Sequence, residues 1–167
     1  MSRFSVAQQQ SQIVSPVFFA QSEQGSQEHD PLRGRILLVD DDDDLRGLLR
    51  ALLEGDGYQV FSCRDASRAL KVFASRGDIQ MLLTDFQMPK MSGVELSQRI
   101  AQTRPDLPIL ILSGAILPED AQMMIAAKGW ELIAKPCDVL VLLQIIASRL
   151  EANRAVSAIE KTEACVP

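Results

Sequence analysis

Residues 36–44 read ILLVDDDDD, a run of four apolar residues that continues directly into five aspartates. Consecutive apolar residues are typical of a strand that is covered on both faces of a sheet. Aspartate is rarely buried, so this stretch leads from the protein interior to a strongly acidic point. It predicts a central strand that ends at a polar site, followed by a helix whose cap we expect to be Asp43 or Asp44.

Short apolar runs alternate with helical patterns along the chain from Arg35 onward. Five strands are predicted, at residues 36–39, 58–63, 79–84, 109–112 and 131–134. A helical spacing of apolar residues follows each strand, and the last helix starts near Asp138 and reaches at least Leu150. This alternation is typical of right-handed crossovers that place helices on both faces of a parallel sheet. The sequence therefore predicts a doubly wound α/β domain with five parallel strands and five helices.

The two ends of the chain differ in composition from its middle. Residues 1–33 are rich in Gln and Ser and end in an Asp-Pro breaker, so we expect a disordered or loosely docked leader. Its apolar segment IVSPVFFA, residues 13–20, is the part that could dock. Residues 34–150 form the predicted domain, and residues 151–167 are expected to be a C-terminal tail.

Composition and charge argue against several classes of function. A net charge of -5 disfavours binding to nucleic acid or to an anionic membrane, because both partners are negative. No apolar run approaches the roughly 20 residues of a membrane span, so we expect a cytoplasmic protein. Cys63, Cys137, Cys165 and His29 have no metal-ligand spacing, which disfavours a zinc site or a disulfide framework.

Four of the five predicted strands end at a charged or hydroxylic residue. Asp40 and Asp41 follow the first strand, Asp85 follows the third, Ser113 follows the fourth and Lys135 follows the fifth. Each has an ordinary explanation alone, such as a helix cap, a strand-end hydroxyl or a surface lysine. Ligand sites in open parallel sheets lie at the carboxyl ends of the strands. The matching positions therefore favour one shared site.

Acids that meet at such a site need a cation. Two unit charges 4 Å apart repel by about 4 kcal/mol at an effective dielectric constant of 20. A small set of oxygen ligands suits Mg²⁺, which keeps several waters and leaves room for a phosphate. Asp85 could then act as a nucleophile toward a phosphoryl group, while Ser113 and Lys135 contact its oxygens. The residues thus predict magnesium-assisted phosphoryl transfer.

Four segments, ILLVDDDDDLR, LLTDFQMPKMSGVEL, ILILSG and AKP, resemble in this order the receiver domains of two-component response regulators. The resemblance covers about residues 34–150. It implies a flavodoxin-like receiver fold with strand order 2-1-3-4-5 and a cis peptide bond between Lys135 and Pro136, which an X-Pro bond tolerates. It also implies a sensor histidine kinase or a phosphotransfer protein as the source of the phosphoryl group.

The resemblance implies a role for each residue of the site. Asp85 corresponds to the phosphoacceptor, Ser113 to the switch hydroxyl and Lys135 to the lysine of the family. The expected Mg²⁺ ligands are Asp41, Asp85 and the backbone carbonyl of Gln87, with Asp40 acting through water. The chain departs from the family at Leu132, where an aromatic residue is usual and for which Trp130 is a candidate substitute; at Ser92, where Asp is common; and at Cys137, where Phe is common.

The last predicted helix is more apolar than one buried face requires. The inward stripe comprises Val139, Leu142, Leu143, Ile146 and Leu150, whereas Leu140, Val141 and Ile145 fall outside it. We call these last three residues the outer strip. It is a candidate contact for a homodimer or a kinase, together with the fourth helix and the fifth strand. The alternatives are cover by residues 13–20 or plain surface.

The function expected is a phosphoryl-accepting signalling or phosphorelay module, with self-catalysed phosphotransfer and autodephosphorylation as its only chemistry. Nothing after Leu150 is long enough for a DNA-binding unit, so signalling by protein contact is expected. One alternative is a receiver-like interaction module that no longer needs phosphate. Another is a haloacid-dehalogenase-like phosphatase, since Asp40 and Asp42 form a DxD motif after a strand, although a final acidic motif and a cap are missing.

Overall fold

The computed structural model describes residues 32–163, in which five strands and five helices alternate along the chain. The strands are β1 (Gly34–Val39), β2 (Tyr58–Cys63), β3 (Met81–Asp85), β4 (Ile109–Ser113) and β5 (Glu131–Ala134). The helices are α1 (Asp43–Gly55), α2 (Ala66–Ser75), α3 (Gly93–Ala101), α4 (Glu119–Ala127) and α5 (Val139–Glu163). The predicted α/β alternation is confirmed.

The sheet is parallel throughout, with the strand order β2-β1-β3-β4-β5 that the sequence resemblance implied. The peptide bond between Lys135 and Pro136 is cis, also as implied. Strand β1 lies inside the sheet, between β2 and β3, and its residues 36–39 are completely buried. The apolar residues 36–39 therefore belong to an interior strand that is covered on both faces of the sheet.

Two apolar layers cover the sheet, and alternate residues of β1 contribute to each of them. Leu37 and Val39 belong to the layer that holds the buried residues of α2, α3 and α4. Ile36 and Leu38 belong to the layer that holds those of α1 and α5. This division follows from the period-2 alternation of side chains along a strand.

Helix α1 begins immediately after the acidic run. Its N-cap is Asp42, one position before the residues we expected, and the Asp42 carboxylate accepts hydrogen bonds from the backbone N–H groups of Asp44 and Leu45. Asp43 and Asp44 lie in the first turn, where negative charge meets the positive end of the helix dipole. Part of the acidic run is therefore used to start a helix.

Helix α5 is longer than the sequence pattern predicted. A tail was expected from residue 151, whereas α5 continues to Glu163. Residues 151–163 contain neither glycine nor proline, so nothing in the chain stops the helix there. Arg154 ties this part to the start of β1 by donating a hydrogen bond from Nη2 to the carbonyl of Arg33, at 2.6 Å. Residues 1–31 and 164–167, including the candidate docking segment 13–20, lie outside the described residues.

The packed half of α5 follows the predicted inward stripe. Leu142, Ile146 and Leu150 are buried, and Leu140 and Val141 are exposed as expected for the outer strip. The exception in the outer strip is Ile145, which packs partly against the layer of α1 and α5.

Within residues 32–163, no helix combines the length and apolar character needed to cross a bilayer.

Truncation of Ile146 to alanine is expected to destabilise the fold by about 2 to 5 kcal/mol, because it leaves a cavity where a fully buried side chain joins α5 to the sheet. Urea unfolding measures this loss. The matched control is Val141→Ala on the same helix, where the native side chain is 49% exposed and the change should stay within about 0.5 kcal/mol. Equal losses in both variants would contradict the packing described.

Candidate functional site

Polar side chains are buried at the carboxyl edge of the sheet, where apolar strands end. Asp40 directly follows β1, Asp85 is the last residue of β3 and Ser113 is the last residue of β4. All three are buried in spite of their polarity. Lys135 directly follows β5 and its side chain is 19% exposed. The parallel register brings these positions, which are far apart in the chain, to one edge.

The centre of the site is the ammonium group of Lys135. Its Nζ donates hydrogen bonds to Asp40 Oδ2 at 2.9 Å and to Asp85 Oδ1 at 2.5 Å. One cation therefore contacts two buried carboxylates from two neighbouring strands. Buried charges are tolerated when they are paired and hydrogen-bonded, and this arrangement satisfies both conditions.

The surroundings shift the protonation equilibria of Asp85 and Lys135. Burial raises the pKa of the Asp85 carboxyl, and the hydrogen bond and charge of Lys135 oppose this effect without cancelling it. Burial disfavours the Lys135 ammonium, but its hydrogen bonds to Asp85 and Asp40 outweigh burial and raise the pKa of Lys135. Lys135 is therefore charged at neutral pH, and the Asp85 carboxyl lies beside it in a partly desolvated position.

Every polar atom of Asp40 has a hydrogen-bond partner. Its Oδ2 accepts from Lys135, and its Oδ1 accepts from the backbone N–H of Asp42 at 3.0 Å. Its backbone N–H donates to the Cys63 carbonyl at 3.2 Å, and its carbonyl accepts from Arg46 Nη1 at 2.8 Å. Asp40 is thus fixed in both backbone and side chain.

Asp41 does not join the pair of buried acids. Its side chain is exposed at the bend between β1 and α1. Among residues 32–163, no three His, Cys, Asp or Glu side chains lie close enough together to hold a metal ion. We expected a divalent ion to hold the acids together, whereas a lysine takes this role in the structure. The proposed set of metal ligands remains a prediction.

The start of α3 packs closely against the end of β3. A Cβ atom at Gly93 would lie 2.1 Å from the Asp85 carbonyl oxygen, so only glycine fits at the start of α3. Ser92 and Glu95 form a capping box that begins this helix. The backbone of Gln87 hydrogen-bonds to the Asp85 carboxylate, which opposes in part the rise that burial causes in the pKa of Asp85. Sequence reasoning did not single out Gly93, although its place directly after Ser92, inside the Ser-x-x-Glu motif, was a signal for it.

The Ser113 hydroxyl is engaged by the backbone of Ala115. Its Oγ donates to the Ala115 carbonyl at 2.8 Å and accepts from the Ala115 N–H at 3.3 Å. Its backbone carbonyl accepts from the Lys135 N–H at 2.7 Å, which joins the ends of β4 and β5. The structure thus places Ser113 beside Lys135, with its hydroxyl engaged in the loop before α4.

A cavity of about 400 Å³ lies beside Ser113. Its lining includes Ile116, which is exposed, and Leu132, at the position where an aromatic residue is usual in the resembling family. Trp130 does not take that place, because it is buried in the layer of α2, α3 and α4, and its backbone N–H donates to the Ile125 carbonyl. The cavity next to the site is therefore bordered by aliphatic side chains.

Comparison with known proteins assigns this site to a family. The family model described as the response regulator receiver domain matches residues 36–147, which include every residue of the predicted site. A crystal structure of a CheY-like receiver domain protein from Methanospirillum hungatei is similar with a TM-score of 0.69 and 26% identity, and covers 73% of this chain and 97% of that chain.

Two curated relatives show how much of a longer protein the match covers. The chain is 33% identical over 120 residues to the nitrogen assimilation regulatory protein NtrX of Azorhizobium caulinodans, covering 71% of this chain but only 26% of NtrX. It is 34% identical over 113 residues to an uncharacterized 14.6 kDa protein of Leptolyngbya boryana, covering 66% of this chain and 86% of that protein. The chain spans about a quarter of the length of NtrX. This chain belongs to the response regulator receiver domain family.

Proposed function

We propose that the chain accepts a phosphoryl group on Asp85 in a Mg²⁺-dependent reaction and signals by protein contact. The observation that carries the proposal is the Lys135 ammonium, which contacts both Asp40 and Asp85 at the carboxyl edge of the sheet. A buried carboxylate beside a fixed cation is suited to attack a phosphoryl group, because the cation meets the negative charge of the incoming oxygens.

The proposed reaction transfers the phosphoryl group from a phosphohistidine to an aspartate. An Asp85 carboxylate oxygen attacks phosphorus, the P–N bond to the donor imidazole breaks, and its electron pair leaves with the imidazole. Lys135 moves its hydrogen bonds onto a phosphoryl oxygen. Ser113 reaches a second oxygen when its hydroxyl gives up the Ala115 carbonyl. Hydrolysis of the resulting acyl phosphate returns Asp85 to a carboxylate.

Oxygen atoms at this edge fit the ligand preference of Mg²⁺. We propose Asp41, Asp85 and the Gln87 carbonyl as ligands, with Asp40 acting through water. One lysine against the carboxylates of Asp40 and Asp85 leaves a negative charge that favours a second cation, and Asp41, the next residue in the chain, is exposed. When bound, Mg²⁺ supplies charge neutralisation for the transferring phosphoryl oxygens.

The two alternative functions fit the site less well. A phosphatase that uses a DxD motif needs both carboxylates free, but the Asp42 carboxylate caps α1. An interaction module without phosphate chemistry has no need for two buried acids paired with a lysine, since apolar residues of similar size would be as stable or more so.

Receiver domains interact with sensor histidine kinases or phosphotransfer proteins, and we propose one of these as the donor. We further propose that Val141 of the outer strip, with Leu132 of β5, forms a contact with a second copy. Both are exposed, and Val141 lines the same surface pocket as the ion pair between Glu131 and Arg149. An apolar patch flanked by opposite charges is suited to a self-complementary interface.

Incubation with acetyl phosphate and Mg²⁺ should add the mass of one phosphoryl group to the chain, as read by intact-protein mass spectrometry. Asp85→Asn should abolish the addition. Asp44→Asn is the control, because Asp44 is exposed in the first turn of α1, and it should be modified like the wild type. Continuous phosphate release that depends on Asp40 and persists in Asp85→Asn would favour the phosphatase. A wild type that takes up no phosphoryl group would favour the interaction module.

The raised pKa of Asp85 predicts a definite pH dependence of stability. Because burial raises this pKa above its ordinary value of 3.8, the folded state binds the proton more tightly than the unfolded state. The contribution of Asp85 to stability therefore falls as pH rises from 3.8 through the folded pKa. The free energy of unfolding of Asp85→Asn, relative to wild type, should increase over that interval and then become constant.

Urea unfolding at a series of pH values measures this difference. A difference between Asp85→Asn and wild type that does not depend on pH would contradict the assigned burial of the Asp85 charge.

Val141→Asp should weaken self-association about tenfold or more, equivalent to about 1.4 kcal/mol, because it buries a charge in the proposed contact. Analytical ultracentrifugation of the phosphorylated chain measures this effect. Leu48→Asp on α1 is the control, since Leu48 is 57% exposed outside the proposed contact. A wild type that stays monomeric, or equal association of both variants, would refute the contact.

A further inference from the structure

We propose that Arg46 is a positioning residue for the Mg²⁺ site, because it fixes the peptide group that joins Asp40 to Asp41. The inference rests on the proposed function of this acidic segment. Among the residues of the site, Arg46 is the one that contacts both ends of the turn formed by residues 40–43. Neither the sequence pattern nor the proposed reaction assigned it a role.

The contacts of Arg46 span the turn between β1 and α1. Nη1 donates to the Asp40 carbonyl at 2.8 Å, and Nη2 pairs with the Asp43 carboxylate. The backbone N–H of Arg46 donates to the Asp42 carbonyl at 2.9 Å, as part of the first turn of α1. The Arg46 side chain is only 16% exposed, so it is held within the turn.

The bond to the Asp40 carbonyl has a consequence for Asp41. A peptide group is planar, so an anchored Asp40 oxygen also fixes the N–H of Asp41 and the direction in which the chain leaves Asp40. The Asp40 side chain is held independently by Lys135 and by the Asp42 N–H. The Asp42 side chain is held by its cap on α1. Arg46 therefore sets the start of the segment that presents the exposed Asp41 carboxylate.

The two contacts of Arg46 differ in expected weight. Asp43 is 81% exposed, and exposed ion pairs contribute little to stability. The bond to the Asp40 carbonyl is partly buried. Groups that orient a metal ligand commonly change metal affinity by about 10- to 100-fold when they are removed. The positioning role should therefore depend on the carbonyl contact and not on the ion pair.

Three variants separate these contributions. Arg46→Ala removes both contacts, Asp43→Asn removes only the charge of the ion pair, and Arg46→Lys keeps the positive charge but lacks the fork that reaches both groups. Isothermal titration with Mg²⁺ should show a Kd raised about tenfold in Arg46→Ala and about unchanged in Asp43→Asn. Arg46→Lys should lie between them. Thermal unfolding of each variant tests that the fold is retained.

Two further readouts distinguish positioning from a general loss of structure. With acetyl phosphate, a donor too small to need a docking surface, Arg46→Ala should need more Mg²⁺ for its half-maximal rate yet approach the wild-type rate at saturation. In the metal-free protein, the backbone amide order parameter of Asp41 should fall in Arg46→Ala from a rigid value of about 0.85 toward about 0.6. Asp43→Asn should keep the wild-type order parameter.

Each result decides the inference. An unchanged Mg²⁺ affinity in Arg46→Ala would overturn it, and so would an equal loss in Asp43→Asn, because the ion pair would then be the active contact. If the wild-type chain binds no Mg²⁺, the proposed function fails, and the order parameter of Asp41 in the metal-free protein still tests whether Arg46 fixes the turn. A rigid Asp41 in Arg46→Ala would overturn the inference in either case.

Discussion

The arrangement of the site depends on one partly exposed cation, the Lys135 ammonium, between the buried carboxylates of Asp40 and Asp85. Two such acids repel by about 4 kcal/mol at 4 Å separation and an effective dielectric constant of 20. The lysine offsets this repulsion, and it reaches both acids because β1, β3 and β5 end at one edge of the sheet. The apolar residues 36–39 are buried in the sheet, and they therefore hold the next residue, Asp40, in position against Lys135.

The sequence predicted the parts of the structure that repeat along the chain. The alternation of strands and helices predicted a doubly wound α/β domain. Because parallel strands end at one edge, it also predicted that Asp40, Asp85, Ser113 and Lys135 are neighbours. It did not predict contacts between side chain and backbone, such as those of Arg46, because no periodic pattern reports them. The continuation of α5 was missed for a related reason. The apolar stripe ends at Leu150, but a helix persists without it when no breaker follows.

Residues that depart from the common family pattern also have physical explanations in this fold. Leu132 leaves a cavity beside Ser113 that aliphatic side chains border, and Trp130 is taken up by the core instead. We expected a divalent ion to offset the repulsion between the acids. For the two buried acids, Asp40 and Asp85, the Lys135 ammonium group offsets it. Asp41, which is exposed, is left available to an incoming ligand.

The unbroken length of α5 has a mechanical consequence. At a rise of about 1.5 Å per residue, the part of the helix beyond Leu150 adds roughly 20 Å to the part that packs on the sheet. Because the helix axis is continuous, a slight tilt of the half that packs on the sheet would produce a larger displacement at Glu163. Arg154 restrains this displacement, because its hydrogen bond to the Arg33 carbonyl ties the helix to the chain just before β1.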